Sequence, residues 1–519
     1  MIDTTPLLRA YARWRTARLA RQDAAAEQQR QLMRLVQAAA RTQFGRDHRF
    51  DAIHGVEEFQ ARVPLRRYED MWSQYWQPQF PRLVDCTWPG TVPFFALTSG
   101  TTTGTTKYIP CTREMNRSNA WAAIDILVHH VANSPRSRVG TGRSFMLGGS
   151  TDLSELAPGI RAGDLSGIAV SQIPRWTRGY SFPPPELALI ADWEEKVERL
   201  AHAVIGEDIR IISGTPSWLL VFFERLFVSQ PRADGRLSGV FPNLELLVHG
   251  GVNFSPYRRQ FEQLLPGSRA ELREVYPASE GFFAVADRGE GEGLRLIVDN
   301  GLFYEFVPVD AVQSEKPARH WIGNAQTGVD YALVVSSCAG LWSYVVGDTV
   351  RLIDLDPPRL LVTGRLSYFL SAFGEHLTGD EIEAAVDAAA GKIKAAISEF
   401  SVGALFPDGA SARGWHLYIV EFAPAPPSAE ALHAFAQAID ADLLKRNDDY
   451  RAHRSGGFGL DAPEVLAVPH GAFSAWMKSR GQLGGQHKVP RVIANAVLFD
   501  GLRQFMTFAE RAGSPLSRE

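Results

Sequence analysis

Val92-Pro-Phe-Phe-Ala-Leu97-Thr98-Ser99-Gly100-Thr101-Thr102-Thr103-Gly104-Thr105-Thr106-Lys107 runs from a short apolar stretch straight into a tract rich in hydroxyls and glycine. Seven of the nine residues from 98 to 106 carry a hydroxyl. An apolar run that gives way to such a tract reads as a buried strand, Pro93 to Leu97, ending at a ligand-binding turn. Two glycines let the backbone turn its N–H groups inward, the hydroxyls add donors, and Lys107 brings a positive charge. The combination suits phosphate oxygens. It is not a Walker loop, because Thr105 and Thr106 stand where that pattern needs Gly and Lys. A polar surface loop is the plain alternative for the tract by itself.

Outward from this stretch, short apolar runs recur between helical patterns. They are Ser144 to Leu147, Ile209 to Ile212, Leu244 to Val248, Leu302 to Val307 and Ala332 to Val335. Helical periodicity covers Arg113 to Val131, Asp192 to Val204, Ser217 to Phe227 and Pro256 to Leu265, and one or two helices fill residues 6 to 43. Alternation of this kind predicts an α/β chain with central β-sheets flanked by helices. After Leu361-Val-Thr-Gly-Arg365 the texture changes. A helix over Asp380 to Ala390, a strand over Trp415 to Phe422 and a helix over Ser428 to Leu444 predict a smaller α+β domain. The expected division is residues 1–364 for the large domain and 365–519 for the small one.

Composition removes other classes. The 519 residues hold 54 Lys plus Arg against 58 Asp plus Glu, a net charge of −4, so no overall field draws nucleic acid or an anionic membrane. A hydrophobic fraction of 45% and a charged fraction of 22% are those of ordinary globular proteins. Three cysteines, Cys86, Cys111 and Cys338, are too few and too scattered for a disulfide framework or a four-Cys zinc site. The start, Met1 to Arg30, lacks a continuous apolar core, and Asp3, Asp23 and Glu27 interrupt its arginines, so a cytoplasmic location is expected over a transit peptide. No run of about 18 uncharged apolar residues occurs, so no membrane span is expected.

Further constellations follow the first. Leu244-Glu-Leu-Leu-Val-His-Gly250-Gly251-Val-Asn253 reads as a strand running into a glycine pair, and Tyr276-Pro-Ala-Ser279-Glu280-Gly281 as another strand end. Ligands of open α/β sheets sit beyond the carboxyl ends of strands. There Tyr276 could cover a base, and Glu280 could hold a hard cation such as Mg²⁺. Each residue alone also reads as turn, packing or solvated charge. Asp348, after Gly347 and between two apolar runs, is expected on a tight bend, where a carboxylate can hold a ribose diol. Gly364-Arg365 precedes Phe373-Gly-Glu-His-Leu377 and the acidic pair Glu381 and Glu383. Gly481-Gln-Leu-Gly-Gly485-Gln-His-Lys488-Val-Pro490-Arg491 reads as a mobile glycine-rich loop delivering Lys488, stiffened from behind by Pro490. A Rossmann fingerprint, a His-Glu-x-x-His helix, a nucleophile elbow and a Cys-x-x-Cys pair are all missing from the sequence.

Taken in order, these segments resemble the auxin-responsive (Gretchen Hagen) acyl-acid amido synthetases, a branch of the adenylate-forming ligases. Thr42-Gln-Phe-Gly-Arg46, Arg62-Val-Pro-Leu65, Tyr68-Glu-Asp70, Gly214-Thr-Pro-Ser-Trp218, Phe303-Tyr-Glu-Phe306, Gly347-Asp348 and Gly485 to Arg491 complete the likeness, which covers nearly the whole chain. The resemblance implies ATP and Mg²⁺ as cofactors, with the small domain swinging during turnover. It implies that Thr98 to Lys107 wraps the phosphates, Tyr276, Ser279 and Glu280 handle adenine and Mg²⁺, Asp348 with Arg365 holds the ribose, and Lys488 is the mobile lysine. The chain departs from the family at Ser343 and Val345, where arginines usually flank Tyr344, and at Tyr368, which replaces a hinge acid of the wider superfamily. An acyl pocket is expected between the helix Arg113 to Val131 and the segment Gly214 to Leu220, with Trp121, Ile124 and Val128 on one stripe facing Trp218, and with Gly250 and Gly251 beside it. The partners are then a small carboxylic acid and an amine, of an amino acid by preference, with no nucleic acid or membrane and a monomer or weak homodimer. Two rivals remain at this point: an acyl-CoA ligase using the same adenylate, and a degenerate nucleotide-binding protein.

Overall fold

The computed structural model describes residues 2–98, 107–148, 153–190, 193–251, 254, 258–289, 291–309, 311–312, 314, 316–366, 369–370, 372–373, 375, 377–406, 413–423, 425–455, 459–480, 489–493 and 496–512. Among these, no helix is long and apolar enough to cross a membrane. The chain divides into two compact units, the first ending at residue 366 and the second continuing from residue 367.

In chain order, the first unit contains the strands β1 (Phe94–Thr98), β2 (Lys107–Cys111), β3 (Arg143–Leu147), β4 (Ser154–Ala157), β5 (Ile160–Gly163), β6 (Ser181–Phe182), β7 (Ile209–Gly214) and β8 (Leu246–Gly250). It continues with β9 (Glu271–Ala278), β10 (Gly281–Val285), β11 (Leu294–Leu296), β12 (Leu302–Pro308), β13 (His320–Trp321), β14 (Asp330–Ser337), β15 (Leu341–Leu355) and β16 (Pro358–Arg365). A small sheet has the order β2-β1-β5-β4, and a large one the order β13-β12-β14-β15-β16-β11-β10-β9-β8-β7-β3-β6. The strands from β6 to β9 along this order run parallel, and all pairings beyond β9 are antiparallel.

Both faces of the parallel part are covered by helices, as its near-continuous apolar strands require. On one face Phe145, Ile212 and Leu247 stand in register, and the Phe222 ring of helix Pro216–Ser229 packs 4.8 Å from Phe145. On the other, Ile211, Leu246 and Val248 join Ala122, Ile126, Val128 and Val131 of helix Arg113–Asn133 in one core. The two helices therefore lie on opposite faces, which corrects the expected acyl pocket. Val128 is fully buried in this core, Ile124 packs against it, and Trp121 stands half-exposed with its ring 6.1 Å from Tyr11. The stripe is the seam between helix Arg113–Asn133 and helix Thr5–Leu19, and it does not face Trp218.

Two polar clamps fix the amino-terminal helices onto this frame. Arg15 forks to Asp125 at 2.6 and 2.9 Å and to Asp299 at 2.6 and 2.9 Å. Gln28, in helix Ala24–Ala39, gives its amide to the Val298 and Leu302 carbonyls at 2.9 Å and accepts from the Tyr304 N–H at 2.8 Å. Cys86, Cys111 and Cys338 are all buried free thiols of this unit.

The second unit holds a short hairpin, β17 (Phe369–Leu370) with β18 (Leu377–Thr378), and a sheet of β19 (Ala396–Leu405), β20 (Trp415–Ala423) and β21 (Glu464–Val468). Helices Gly379–Ile393 and Ala429–Arg446 bury one face of this sheet around Phe400, Val402, Tyr418 and Phe422. Helices Ala472–Ser479 and Ala496–Ala512 cover the other face through Phe473, Trp476, Phe499 and Leu502. A Cβ on Gly403 would sit 2.4 Å from the Phe499 ring, so glycine sets how closely the last helix approaches β19.

At the amino-terminal edge of the parallel strands, His130 lies between Glu271, with Nδ1 3.2 Å away, and Glu245, with Nε2 3.6 Å away. Burial opposes the charge on His130, but the two carboxylates outweigh it and raise the pKa. Burial pushes Glu245 up, yet His130, Ser137, the Arg138 N–H and Arg210 hold it at about 2. His130 also holds Glu271 at about 2 against burial. A raised histidine stabilises the fold below its unfolded pKa of about 6.5 and loses that contribution as pH climbs through the folded value. The lowered carboxylates contribute above about 4.5 and lose their share as pH falls toward about 2. His130→Gln should therefore flatten the decline of the melting temperature as pH rises above about 6.5. An undiminished decline would show that His130 does not cause it.

Candidate functional site

The parallel strands end level with one another: Leu147, Gly214 and His249 share a rung, and Gly250 pairs with Val275. Beyond such carboxyl ends open α/β sheets hold their ligands. Gly250 is required there by a close approach, since a Cβ would lie 2.2 Å from the Val275 carbonyl oxygen, and Gly251 by its left-handed backbone at φ +86°. Ala278 pairs with Gly281, so Ser279 and Glu280 form the two-residue turn between β9 and β10.

Tyr276 is buried, its ring edge-on to Phe283 at 4.9 Å, and its hydroxyl donates to Asp348 Oδ2 at 2.6 Å. Asp348 does not occupy a tight bend. It lies inside the 15-residue strand β15, opposite Arg365 of β16. Gly347, at φ +98°, marks a kink instead of a reversal, and its carbonyl accepts from the Leu366 N–H at 2.7 Å. The strand continues because the apolar runs on both sides pair with β14: Val345 with Val334 and Thr349 with Ala332, the extra residues forming a bulge. Arg365 closes β16 at this rung.

A second group gathers around Glu280. The Tyr344 hydroxyl neighbours Glu280, and burial first, then the charges of Glu280 and Glu69, raise the tyrosine pKa far above its ordinary value. Tyr344 is reached from outside the sheet by Arg66, whose N–H donates to the Ser343 carbonyl at 3.0 Å and whose carbonyl accepts from the Val345 N–H at 2.9 Å. That contact delivers the next residues, Tyr68 and Glu69 of the short helix Tyr68–Met71. Lys107 meets them there, with Nζ 3.2 Å from Glu69 Oε1 and 4.8 Å from the Tyr68 ring centre. Lys107 is only 7% exposed, so its ammonium faces inward. Thr98 pairs with Lys107, and the last rung of β1 and β2 thus closes the hydroxyl tract. Ser99, Gly100, Thr101, Thr102, Thr103 and Gly104 lie outside the described residues, as do Tyr368 and Lys488.

Tyr68, Glu69 and Tyr344 had no site role in the sequence reading, although Tyr68-Glu-Asp70 was already a motif. Only the fold shows that the helix from Tyr68 and the start of β2 converge. Ser343 stands where the resemblance expects arginine, in a left-handed conformation at φ +43°. A guanidinium does reach it, from Arg319, whose Nη2 is 2.7 Å from Ser343 Oγ. Both bind the fully buried Glu305, which also accepts from Gln60 at 2.9 Å.

Among the described residues no group of three or more His, Cys, Asp or Glu could hold a metal ion. Glu280 is a single buried carboxylate, which suits a cation otherwise held by phosphate oxygens and not a protein cage. In the second unit the backbone just after Lys488 is fixed. Ser401 Oγ donates to the Pro490 carbonyl at 2.7 Å, and the Val402 N–H to the Arg491 carbonyl at 2.8 Å.

Tyr276→Phe removes a donor from the buried Asp348 carboxylate. The change should cost about 1–3 kcal/mol, read as a lower urea midpoint. An unmoved midpoint would show that the contact contributes nothing to stability.

Three domain descriptions match the chain: the GH3 family N-terminal domain over residues 15–192, the central domain over 295–365 and the C-terminal domain over 380–497. Among curated relatives, the indole-3-acetic acid-amido synthetase GH3.3 of Arabidopsis thaliana is 25% identical over 315 residues, covering 57% of this chain and 51% of the relative. GH3.8 of Oryza sativa subsp. indica, also an indole-3-acetic acid-amido synthetase, is 26% identical over 288 residues, covering 50% and 45%. The matches thus span about half the length of these relatives. The solved GH3.15 acyl acid amido synthetase superposes with a TM-score of 0.57 at 17% identity, covering 94% of both chains. A 2-hydroxyisobutyryl-CoA ligase in complex with 2-HIB-AMP and CoA gives 0.59 at 16%, covering 95% and 94%. At such identities these two establish a shared fold and nothing finer. With its amino-terminal, central and carboxyl-terminal parts all matched in order, the chain belongs to the GH3 family.

Proposed function

We propose that the chain is an ATP-dependent acyl-acid amido synthetase, with residues 1–364 binding ATP and the acid and residues 365–519 carrying the mobile lysine. The observation that carries this reading is the meeting of Tyr276 and Asp348, beside the turn of Ser279 and Glu280, where the parallel strands end. Family membership and the relatives' printed activity support it.

A carboxylate is a poor acyl donor because its leaving group would be oxide. Its oxygen attacks the α-phosphorus of ATP, the bond from that phosphorus to the β-phosphate oxygen breaks, and pyrophosphate leaves. The acyl adenylate now has AMP as leaving group. An amine nitrogen, of an amino acid by preference, attacks the acyl carbon, the bond to AMP breaks, and the amide forms with loss of a proton. In the first step charge builds on the phosphoryl oxygens, and the donors of Thr98 to Gly104 with Lys488 stabilise it, each fixed donor worth about 3 kcal/mol. Lys107 holds the far end of that tract through Glu69 and Tyr68. Tyr276 and Ser279 border the adenine, and Asp348 with Arg365 takes the ribose hydroxyls. Glu280 would hold Mg²⁺, which would supply charge neutralisation at the phosphates. The acid lies beside Gly250, Gly251 and Trp218, on the face of helix Pro216–Ser229.

The decisive measurement is acid-dependent exchange of labelled pyrophosphate into ATP, followed by mass detection of product with amino acids and coenzyme A in competition. Exchange with an amide product is expected. A thioester would overturn the amide step, and no exchange across a broad acid panel would overturn the enzyme. Lys488→Ala should slow adenylation at least about 100-fold with an unchanged melting temperature. A full rate in this variant would remove Lys488 from the reaction.

A further inference from the structure

We propose that His249 is a specificity-determining residue of the acyl site, its imidazole reading a hydroxyl on an aromatic acid. The inference rests on the amido synthetase reading for the identity of the occupant, and on the following geometry for the residue.

His249 is the penultimate residue of β8, level with Gly214 and directly before Gly250 and Gly251. It is 1% exposed, and neither Nδ1 nor Nε2 has a hydrogen-bond partner among the described residues. A buried polar group without a partner is destabilising, so two on one ring need a compensating reason. Packing supplies one contact, a stack on Phe254 with ring centres 3.7 Å apart and 16° between planes. A phenylalanine would stack equally well without the two idle nitrogens. The imidazole shares the sheet face of Leu247 and Gly214 with helix Pro216–Ser229, whose first turn carries the half-buried Trp218. Gly214 puts no side chain on the β7 flank of the ring and Gly251 none ahead of it, while Glu274 of β9 stands on the other flank.

Protonation is settled by the surroundings. Burial first, then the charge of Arg258, lowers the pKa of His249 to about 3, so the ring stays neutral in the working pH range. A neutral imidazole offers one donor and one acceptor, the complement of a hydroxyl and a poor match for a carboxylate. Phe254, held by Phe261 and Arg258, fixes the ring from behind, and the half-buried Trp218 on the same sheet face supplies an aromatic surface for the body of the ligand. A site whose polar groups need a substrate hydroxyl rejects the analogue that lacks it, because its own groups are then left unpaired.

The test measures acid-dependent pyrophosphate exchange with benzoate, phenylacetate and their ring-hydroxylated counterparts, for the full chain and for His249→Phe and His249→Gln. The wild type should prefer a hydroxylated acid over its parent at least about tenfold in kcat/KM. His249→Phe should lose that preference while its melting temperature and its KM for ATP hold, and His249→Gln should recover part of it. A wild type without the preference, or a phenylalanine variant that keeps it, overturns the inference. Should the phenylalanine variant not fold, NMR of histidine-labelled wild type decides, with the His249 signal assigned through His249→Gln. The signal must move with the hydroxylated acid and not with the parent, and a static signal overturns the inference. A moving signal without any exchange overturns the amido synthetase reading alone, and exchange with a static signal overturns this inference alone.

Discussion

A hydrogen bond of 2.6 Å between Tyr276 on β9 and Asp348 on β15 constrains the shape of the whole first unit. These strands are four places apart in the large sheet, which in a flat arrangement would separate them by roughly 19 Å. The contact exists only because the sheet curls over at this end. The strands between them permit it: β10 and β11 are short, and β11 meets β16 only at Leu294 with Leu360 and Arg295 with Arg359. Above that rung β9 and β15 lean together, bringing Tyr276 to Asp348.

The same curl decides where charge can be placed. Glu280, Glu69, Lys107 and Tyr344 come from a hairpin turn, a short helix, a strand start and a long strand, and their partners hold each in position. Arg66 and Ser343 provide the splice that brings the helix to the sheet, and the buried triad of Glu305, Arg319 and Ser343 supports it from behind. Contacts of this kind set the positions of the charges in advance, which is what a site for a highly charged ligand needs.

Much of the fold was legible where local chemistry and global packing agree. The strands near residues 93, 144, 209, 302 and 332 are apolar runs bounded by turn residues, and Thr112 and Ser428 cap helices where they were expected to begin, whereas the break at Asp23, which caps the second of the two helices within residues 6–43, was not placed. The misreadings share one cause, long-range pairing that a local pattern cannot display. Gly347-Asp348 has the composition of a turn, yet both flanks find the same neighbouring strand, so the chain kinks and continues. Trp121, Ile124 and Val128 form a true helical stripe, but periodicity does not say which layer it meets, and helix Thr5–Leu19 lay far away in sequence. Lys107 was legible as a cation beside the tract, whereas its inward partners depend on how residues 66–71 dock.

The three buried cysteines have a practical consequence. Burial pushes the thiols of Cys86, Cys111 and Cys338 up to about 12, so at neutral pH only about one molecule in 10⁵ carries a reactive thiolate at any of them. Alkylating reagents will therefore find them only when the surrounding core parts. Cys86 lies under the Tyr75 carbonyl, Cys111 ends β2, and Cys338 sits beneath Gly301. The first unit thus carries native clocks for its own breathing, Cys111 and Cys338 side by side and Cys86 elsewhere in the same core, timed by the rate at which that core opens.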